Sequence, residues 1–520
     1  MQTLQKSDRK PLLKISNLKQ YFPLKTKGLY VKANDGVTLD IYEGETLGLV
    51  GESGCGKSTL GRTILQLYRQ TDGRTMYYGK SLDDIAPEYV GQTIRTLDKR
   101  KAQLKELEKK RDALQKEYDG MADGHAKYAK LNELNQAKKE ANDAFLDMAN
   151  LVGGFIKVDD TKPVIDAFSK VYHLSSKQCQ LEQKLSSAQL DLDDADYAVK
   201  TAKDAGKNSS GAESKRKKAQ DKVNGIKAEI DEVKRELITA RASIDEMRKQ
   251  YANDPEFQRL EEYRDDGIDL ARLTYNEIRL LRSDLQMIFQ DPYSSLNPPM
   301  TVGQIISEGM MAHNMFKKSD ARLQENIIKV MEDAGLQAYF IHRYPHQFSG
   351  GQRQRIGIAR SLAVKPRFVV CDEAVSALDV SIQSQIINLL QDLKEQQNLT
   401  YLFITHDLSV VKYISDRIGV MYLGNIVELA DSQEIFSHPL HPYTEALMNA
   451  IPTTDVETER ELQILEGDIP SPVNPPKGCK FHTRCKYCTE VCQHVEPEWV
   501  EAAPNHFVAC HHILGSQTEE

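Results

Sequence analysis

The sequence predicts an α/β domain with a parallel sheet, interrupted by an all-α coiled-coil insertion and followed by a small C-terminal Cys-rich domain. Three observations carry this reading. An apolar run, Thr46–Val50, leads into the glycine-rich stretch 51–59 and then into a helix-compatible segment from Leu60 to Tyr68. Two further apolar runs far downstream, 367–373 and 401–407, end in two acids and in a histidine. Residues 86–272 are rich in Lys, Glu, Asp, Ala and Gln, with apolar positions at alternating spacings of three and four.

The first element is strand, glycine loop, helix. Gly51, Gly54 and Gly56 let the backbone curl until its N–H groups converge on an anion. Lys57 then reaches the β- and γ-phosphates of a nucleotide, and the Ser58 hydroxyl ligates Mg²⁺. Ser53, Cys55 and Thr59 complete this loop. A strand buried on both faces of a parallel sheet reads as a continuous apolar run, which describes Arg367–Cys371. Asp372 at its carboxyl end is placed to hold Mg²⁺ through water, and Glu373 to polarise the attacking water as general base.

The run Tyr401–Thr405 ends at His406, and the helix-like stretch Ile382–Lys394 before it lets the two strands be neighbours in one sheet. His406 is then in reach of the γ-phosphate. Gln290, closing Leu285–Phe289, ends another strand and can sense both Mg²⁺ and the water. Ser349, Gly350, Gly351 and Gln352 open a helix through Leu362, and a helix N-terminus is a second anion site. A chain with a P-loop and a distant second phosphate site suggests two copies sandwiching one nucleotide.

These motifs match the ATP-binding cassette (ABC) ATPases: Walker A at 51–59, Q-loop at Gln290, signature at 349–353, Walker B at 368–373, D-loop at Ser376–Asp379 and switch at His406. Segments 44–62, 289–298 and His441–Thr444 resemble the oligopeptide/dipeptide importer ATPases, of the F-type among their two paralogues. The resemblance covers roughly 1–85 and 273–515, and departs at Ala374, where the family has proline. It implies Tyr21 as the adenine-stacking aromatic, with Tyr30 as the fallback. It also implies a paralogous D-type ATPase as dimer partner, two transmembrane permeases and an extracytoplasmic substrate-binding protein. The place of work would be the cytoplasmic face of the membrane, as a peripheral subunit taking up peptides or, alternatively, nickel or another small solute.

The implied domains are 1–85 (first part of the ATPase, with Walker A), 86–272 (coiled-coil insertion), 273–445 (second part) and 446–520 (Cys-rich tail). Within the insertion, Val223, Ile226, Ile230, Val233, Leu237, Ala240, Ile244, Met247 and Tyr251 form one heptad stripe; Leu181, Leu185, Ala188, Leu192, Ala195 and Val199 form another. Turn residues at 204–211 predict an antiparallel hairpin of 165–203 with 214–252, and breaks at 120–124 and 152–163 predict three or four helices in all.

A formal net charge of −8 gives no broad attraction to nucleic acid. No apolar run is long enough to span a bilayer, and Met1–Gln5 lacks a signal-peptide core, which together predict a cytoplasmic protein. A DNA-repair or chromosome ABC ATPase is the rival reading, since those also carry coiled coils. Theirs follow the Q-loop, often with a CxxC hook, whereas this insertion precedes Gln290 and holds only Cys179.

Cys479, Cys485, Cys492 and Cys510 crowd the tail, with Cys488 as a fifth. In a reducing compartment such a cluster points to metal, and four thiolates suit Zn²⁺ or an iron–sulfur cluster. The wording Gly478–Cys485 resembles importer ATPases whose tail holds a [4Fe–4S] cluster, which implies Cys479, Cys485, Cys492 and Cys510 as its ligands.

Overall fold

The computed structural model describes residues 9–122, 124–317, 320–376, 378–449 and 467–515. The Met1–Gln5 leader reading, Ala377 of the 376–379 loop, and residues 450–466 and 516–520 of the predicted tail lie outside them.

Twelve described strands form two sheets. They are β1 (Pro11–Pro23), β2 (Tyr30–Tyr42), β3 (Thr46–Val50), β4 (Asp72–Tyr77), β5 (Ile268–Asp269), β6 (Leu285–Ile288), β7 (Phe368–Asp372), β8 (Thr400–Ile404), β9 (Arg417–Tyr422), β10 (Asn425–Asp431), β11 (Val500–Ala503) and β12 (His506–Val508). The larger sheet runs β11-β12-β10-β9-β3-β8-β7-β6, with parallel pairing from β9 to β6. Every residue of β3, β7 and β8 is buried, as unbroken apolar runs require in a sheet covered on both faces.

Register decides the function. Leu49 pairs with Ile404, Ile404 with Asp372, and Cys371 with Ile288, so the carboxyl ends of β3, β8, β7 and β6 finish along one edge. Open parallel sheets bind ligands at such an edge. The antiparallel sheet β2-β1-β4-β5 lies over the other face of helix Lys57–Ile64, whose Leu60 and Ile64 share one core with Leu13, Ile15, Leu47, Leu49, Leu402 and Ile404. Helices Val302–Ala312, Ala321–Asp333 and Gly350–Leu362 build a second lobe around Val302, Ile306, Met331 and Ile356.

Residues 86–272 contain four long helices: Leu97–Asp119, His125–Val152, Lys162–Asp204 and Ser210–Lys249. Both predicted breaks are present, and the last two helices pack antiparallel about a turn at 205–209. Leu181, Ile230, Val233 and Leu237 are buried in one seam cluster, and Ala188, Leu192 and Val223 in the next. At 1.5 Å per residue the Lys162–Asp204 helix, 43 residues, spans about 64 Å. None of the described helices is long and apolar enough to cross a membrane.

Two strand pairings cross the expected boundaries. β5 pairs with β4 through Met76↔Asp269, so the sheet resumes inside the predicted insertion, before its expected end at 272. The Cys-rich tail, expected as a separate small domain, adds edge strands to the core sheet through Glu428↔Val508. The fully buried Glu428 carboxylate explains the attachment: it accepts from the Leu440 and His441 backbone N–H groups and lies 2.7 Å from His506 Nε2. A buried carboxylate demands such partners.

Candidate functional site

The glycine loop adopts the conformation its composition suggested. Gly51, Gly54 and Gly56 lie at φ 149, 79 and 105. At Gly56 a Cβ would approach the Ala33 carbonyl oxygen to 2.1 Å, so both backbone sign and space exclude a side chain. Helix Lys57–Ile64 begins directly after Gly56. The buried Lys57 ammonium donates to the carbonyls of Gly51 at 2.7 Å and Glu52 at 3.0 Å, and Ser53, Cys55, Ser58 and Thr59 line the same cavity of about 400 Å³. Burial pushes the Cys55 thiol up, which keeps it neutral beside the lysine.

Strand-end residues converge on this cavity. Ser58 Oγ donates to Asp372 Oδ1 at 2.6 Å, and Arg62 Nη2 donates to Asp372 Oδ2 at 3.3 Å, so a fully buried carboxylate has a partner on each oxygen. Glu373 stands between two other readers: Gln290 Nε2 donates to its Oε2 at 2.6 Å, and His406 Nδ1 lies 3.5 Å from its Oε1. Gln290 and Glu373 line the cavity with the P-loop.

Glu373 takes φ 47, a left-handed conformation costing a non-glycine residue about 1–3 kcal/mol. Its N–H donates to the Ile404 carbonyl at 2.9 Å, and its own carbonyl accepts from Ser376 Oγ at 3.0 Å, which hold the strained turn. Ala374 beside it is buried.

Ser349, Gly350, Gly351 and Gln352 form a helix N-terminus closed by a reciprocal cap: the Ser349 N–H donates to Gln352 Oε1 at 3.2 Å, and Ser349 Oγ accepts from the Gln352 N–H at 3.4 Å. A Cβ on Gly351 would meet Ile382 Cγ2 at 2.6 Å, so the glycine allows close packing against helix Val380–Gln397. None of these four residues lines the P-loop cavity.

Tyr21 is not among the residues that line this cavity. Its hydroxyl donates to Asp35, and burial with that carboxylate pushes the phenol far up. Its neighbour Phe22 lines the cavity instead, with its ring edge-on to Tyr68 at 5.3 Å. Tyr30, the fallback, is exposed and is likewise absent from the lining.

Sequence reasoning missed the role of the tail. Arg484 donates to both Glu52 oxygens, at 2.7 and 3.1 Å, gripping the P-loop from the far end of the chain. The Tyr443 hydroxyl accepts from the Glu52 N–H at 2.9 Å. Pro472 lines the cavity, and Lys480 reaches Asp35 and Asn425. No local signal marks these contacts, because they join residues 55 to 445 positions apart.

Cys479, Cys485, Cys492 and Cys510 are neighbours whose charges would repel. Burial first, with the nearby thiols adding, pushes Cys479 up to about 12 and Cys510 up to about 11. Among the described residues, however, no group of three His, Cys, Asp or Glu closes to metal-holding distance. The donor chemistry suits a thiolate-bound metal.

The ABC transporter family model matches residues 34–217 and 257–376, and the model of the oligopeptide/dipeptide transporter C-terminal region matches 427–492. The chain is 52% identical over 248 residues to the oligopeptide transport ATP-binding protein AppF of Bacillus subtilis, covering 47% of this chain and 75% of that protein. It is 51% identical over 247 residues to the oligopeptide transport ATP-binding protein OppF of Salmonella typhimurium, covering 47% and 73%.

Proposed function

This chain belongs to the ABC transporter family as an oligopeptide-transport ATPase, and from that premise we propose how its residues couple ATP hydrolysis to peptide uptake. The P-loop amides and Lys57 cradle the triphosphate, with Phe22 rather than Tyr21 against the adenine. Ser58 and Asp372, already paired at 2.6 Å, with Gln290 nearby, are the oxygen ligands that would hold Mg²⁺. When bound, that ion neutralises phosphate charge. Glu373 is the general base that takes the proton from the attacking water. Gln290 and His406, each within 3.5 Å of its carboxylate, hold that water and the γ-phosphate in line.

The observation carrying this reading is the meeting of Gln290, Glu373 and His406 from three strand ends at the mouth of the P-loop cavity. Glu373→Gln is expected to retain ATP binding and lose turnover, measured by nucleotide retention and phosphate release. Near-normal hydrolysis by that variant refutes the base assignment.

The signature residues Ser349, Gly350, Gly351 and Gln352 serve the nucleotide of a second subunit, a paralogous D-type ATPase; their distance from this chain's own cavity supports that reading. Closure of the pair passes to two permeases through the lobe that follows Gln290, with an extracytoplasmic binding protein delivering peptide. The protein then sits peripherally on the cytoplasmic face of the membrane. Residues 86–272 are a coiled-coil arm within the ATPase, supported by the buried seam. The four tail cysteines are proposed as [4Fe–4S] ligands, with Zn²⁺ as the alternative, on their donor chemistry alone. Iron, acid-labile sulfide and zinc analysis of anaerobically purified protein separates the two.

A further inference from the structure

The proposed mechanism leaves the tip of the long hairpin unused. Over residues 200–222 eight Lys or Arg stand against three Asp or Glu, in a chain of net charge −8. The fold neutralises only part of this. Lys203 pairs with Glu213 at 3.1 Å, Lys222 with Asp191 at 3.3 Å, and Arg216 with Asp196. Lys200, Lys207, Lys215, Lys217 and Lys218 are exposed and make no ion pair among the described residues.

Just before the tip lies an acidic collar whose members are all engaged. Asp191 and Asp194 meet Lys317 at 2.7 and 2.8 Å, Asp193 meets Arg322 at 3.4 Å, and Asp196 meets Arg216. The acidic stretch is therefore satisfied against the helical lobe, and the basic stretch is presented to the outside. Asp204, the last helical residue, lies ten positions beyond Asp194, so the turn stands about 15 Å past the lobe.

We propose that this basic tip docks on anionic phospholipid headgroups of the membrane that holds the partner permeases. The inference rests on the reading of the chain as an importer ATPase, which sets the lobe carrying the collar beside those permeases. Composition favours a lipid surface over an acidic protein. Between 200 and 222 no apolar residue larger than Ala occurs, so the tip has none of the aromatic or large aliphatic anchors on which protein interfaces depend. A charged surface needs no such anchor. Each Lys or Arg near anionic headgroups gains about fivefold in partitioning, and salt screens the effect within a Debye length of about 10 Å.

The test compares the full chain with a quadruple variant, Lys207→Gln, Lys215→Gln, Lys217→Gln and Lys218→Gln. Both are sedimented with mixed phosphatidylglycerol–phosphatidylcholine vesicles and with pure phosphatidylcholine vesicles, and ATP binding is measured on the same samples. Expected is binding to the anionic vesicles alone, weakened at least about tenfold in the variant and by added salt, with ATP binding unchanged. Equal sedimentation of the two proteins, as a tip reserved for an acidic protein would give, overturns the proposal. So does equal binding to both vesicle types. A wild type that partitions as expected yet binds no ATP overturns the functional reading and leaves the lipid contact standing.

Discussion

Replacing Arg484 with alanine measures how far the tail supports the P-loop. The guanidinium makes a two-pronged, charge-assisted contact with Glu52, which is stronger than a neutral hydrogen bond. Its side chain is only 4% exposed, while that of Glu52 is 24% exposed. Water can therefore reach the carboxylate once the arginine is gone. The loss should be about 1–3 kcal/mol, below the roughly 3–5 kcal/mol of a fully buried pair. Glu52 keeps two backbone anchors, the Tyr443 hydroxyl and Lys57, so the loop loosens without unfolding. If nucleotide binding must restore that order, the KM for ATP rises about 5- to 140-fold, since each 1.4 kcal/mol is tenfold, and kcat changes less. Steady-state ATPase kinetics on Arg484→Ala, Glu52→Ala and the double variant form the assay. The single effects should overlap in the double variant. An unchanged KM in Arg484→Ala, or single effects that simply add, refutes the reasoning.

Two further outcomes follow from the same geometry. Phe22→Ala should raise the KM for ATP several-fold, whereas Tyr21→Phe should leave it unchanged and lower the melting temperature by the loss of one hydrogen bond to Asp35, roughly 1 kcal/mol; the opposite pattern returns the adenine to Tyr21. His441 is fully buried, its Nδ1 accepting from the Tyr443 N–H at 3.0 Å, and burial pushes its pKa down to about 4. Between about pH 6.5 and 4 the unfolded chain gains a proton at this histidine that the folded chain refuses. Its contribution is therefore complete above 6.5 and lost as pH falls, by up to about 3 kcal/mol. His441→Asn, which keeps an acceptor, should flatten the acid side of a plot of melting temperature against pH; an unchanged slope counts against the assignment.

What could be read from the sequence was local or periodic. The P-loop is one continuous stretch whose glycines are needed by backbone geometry, and its strand shows as an unbroken apolar run because both sheet faces are covered. The hairpin showed because its seam repeats over many turns and its turn residues interrupt it. Which aromatic of the pair Tyr21 and Phe22 lines the P-loop cavity was not legible. Side chains alternate faces along a strand, but β1 carries a register shift between Gln20 and Tyr21, which breaks the counting there. The tail failed because its evidence is long-range: Arg484 with Glu52, Glu428 with His506, and a three-residue strand paired to β10. Nothing in the local pattern of 478–510 states that pairing.

The arm is attached to the two lobes with unequal strength, and that inequality has a consequence. At its root, Tyr89, Ile268 and Leu270 are buried in one apolar cluster with Leu13, Ile15 and Tyr77 of the ATPase core, and Asp83 of that core binds both Ser175 and Arg241. Each fully buried apolar side chain there is worth about 1.5–3 kcal/mol. At the helical lobe the attachment is Asp191, Asp193 and Asp194 against Lys317 and Arg322, whose side chains are 28–44% exposed. Exposed ion pairs contribute about 0–1 kcal/mol each and weaken with salt. Any displacement between core and lobe therefore breaks the collar before it disturbs the root. The hairpin then moves with the core, and the lobe slides beneath it. An arm that joined the lobes rigidly would need apolar packing at both ends; this one has it at the root alone.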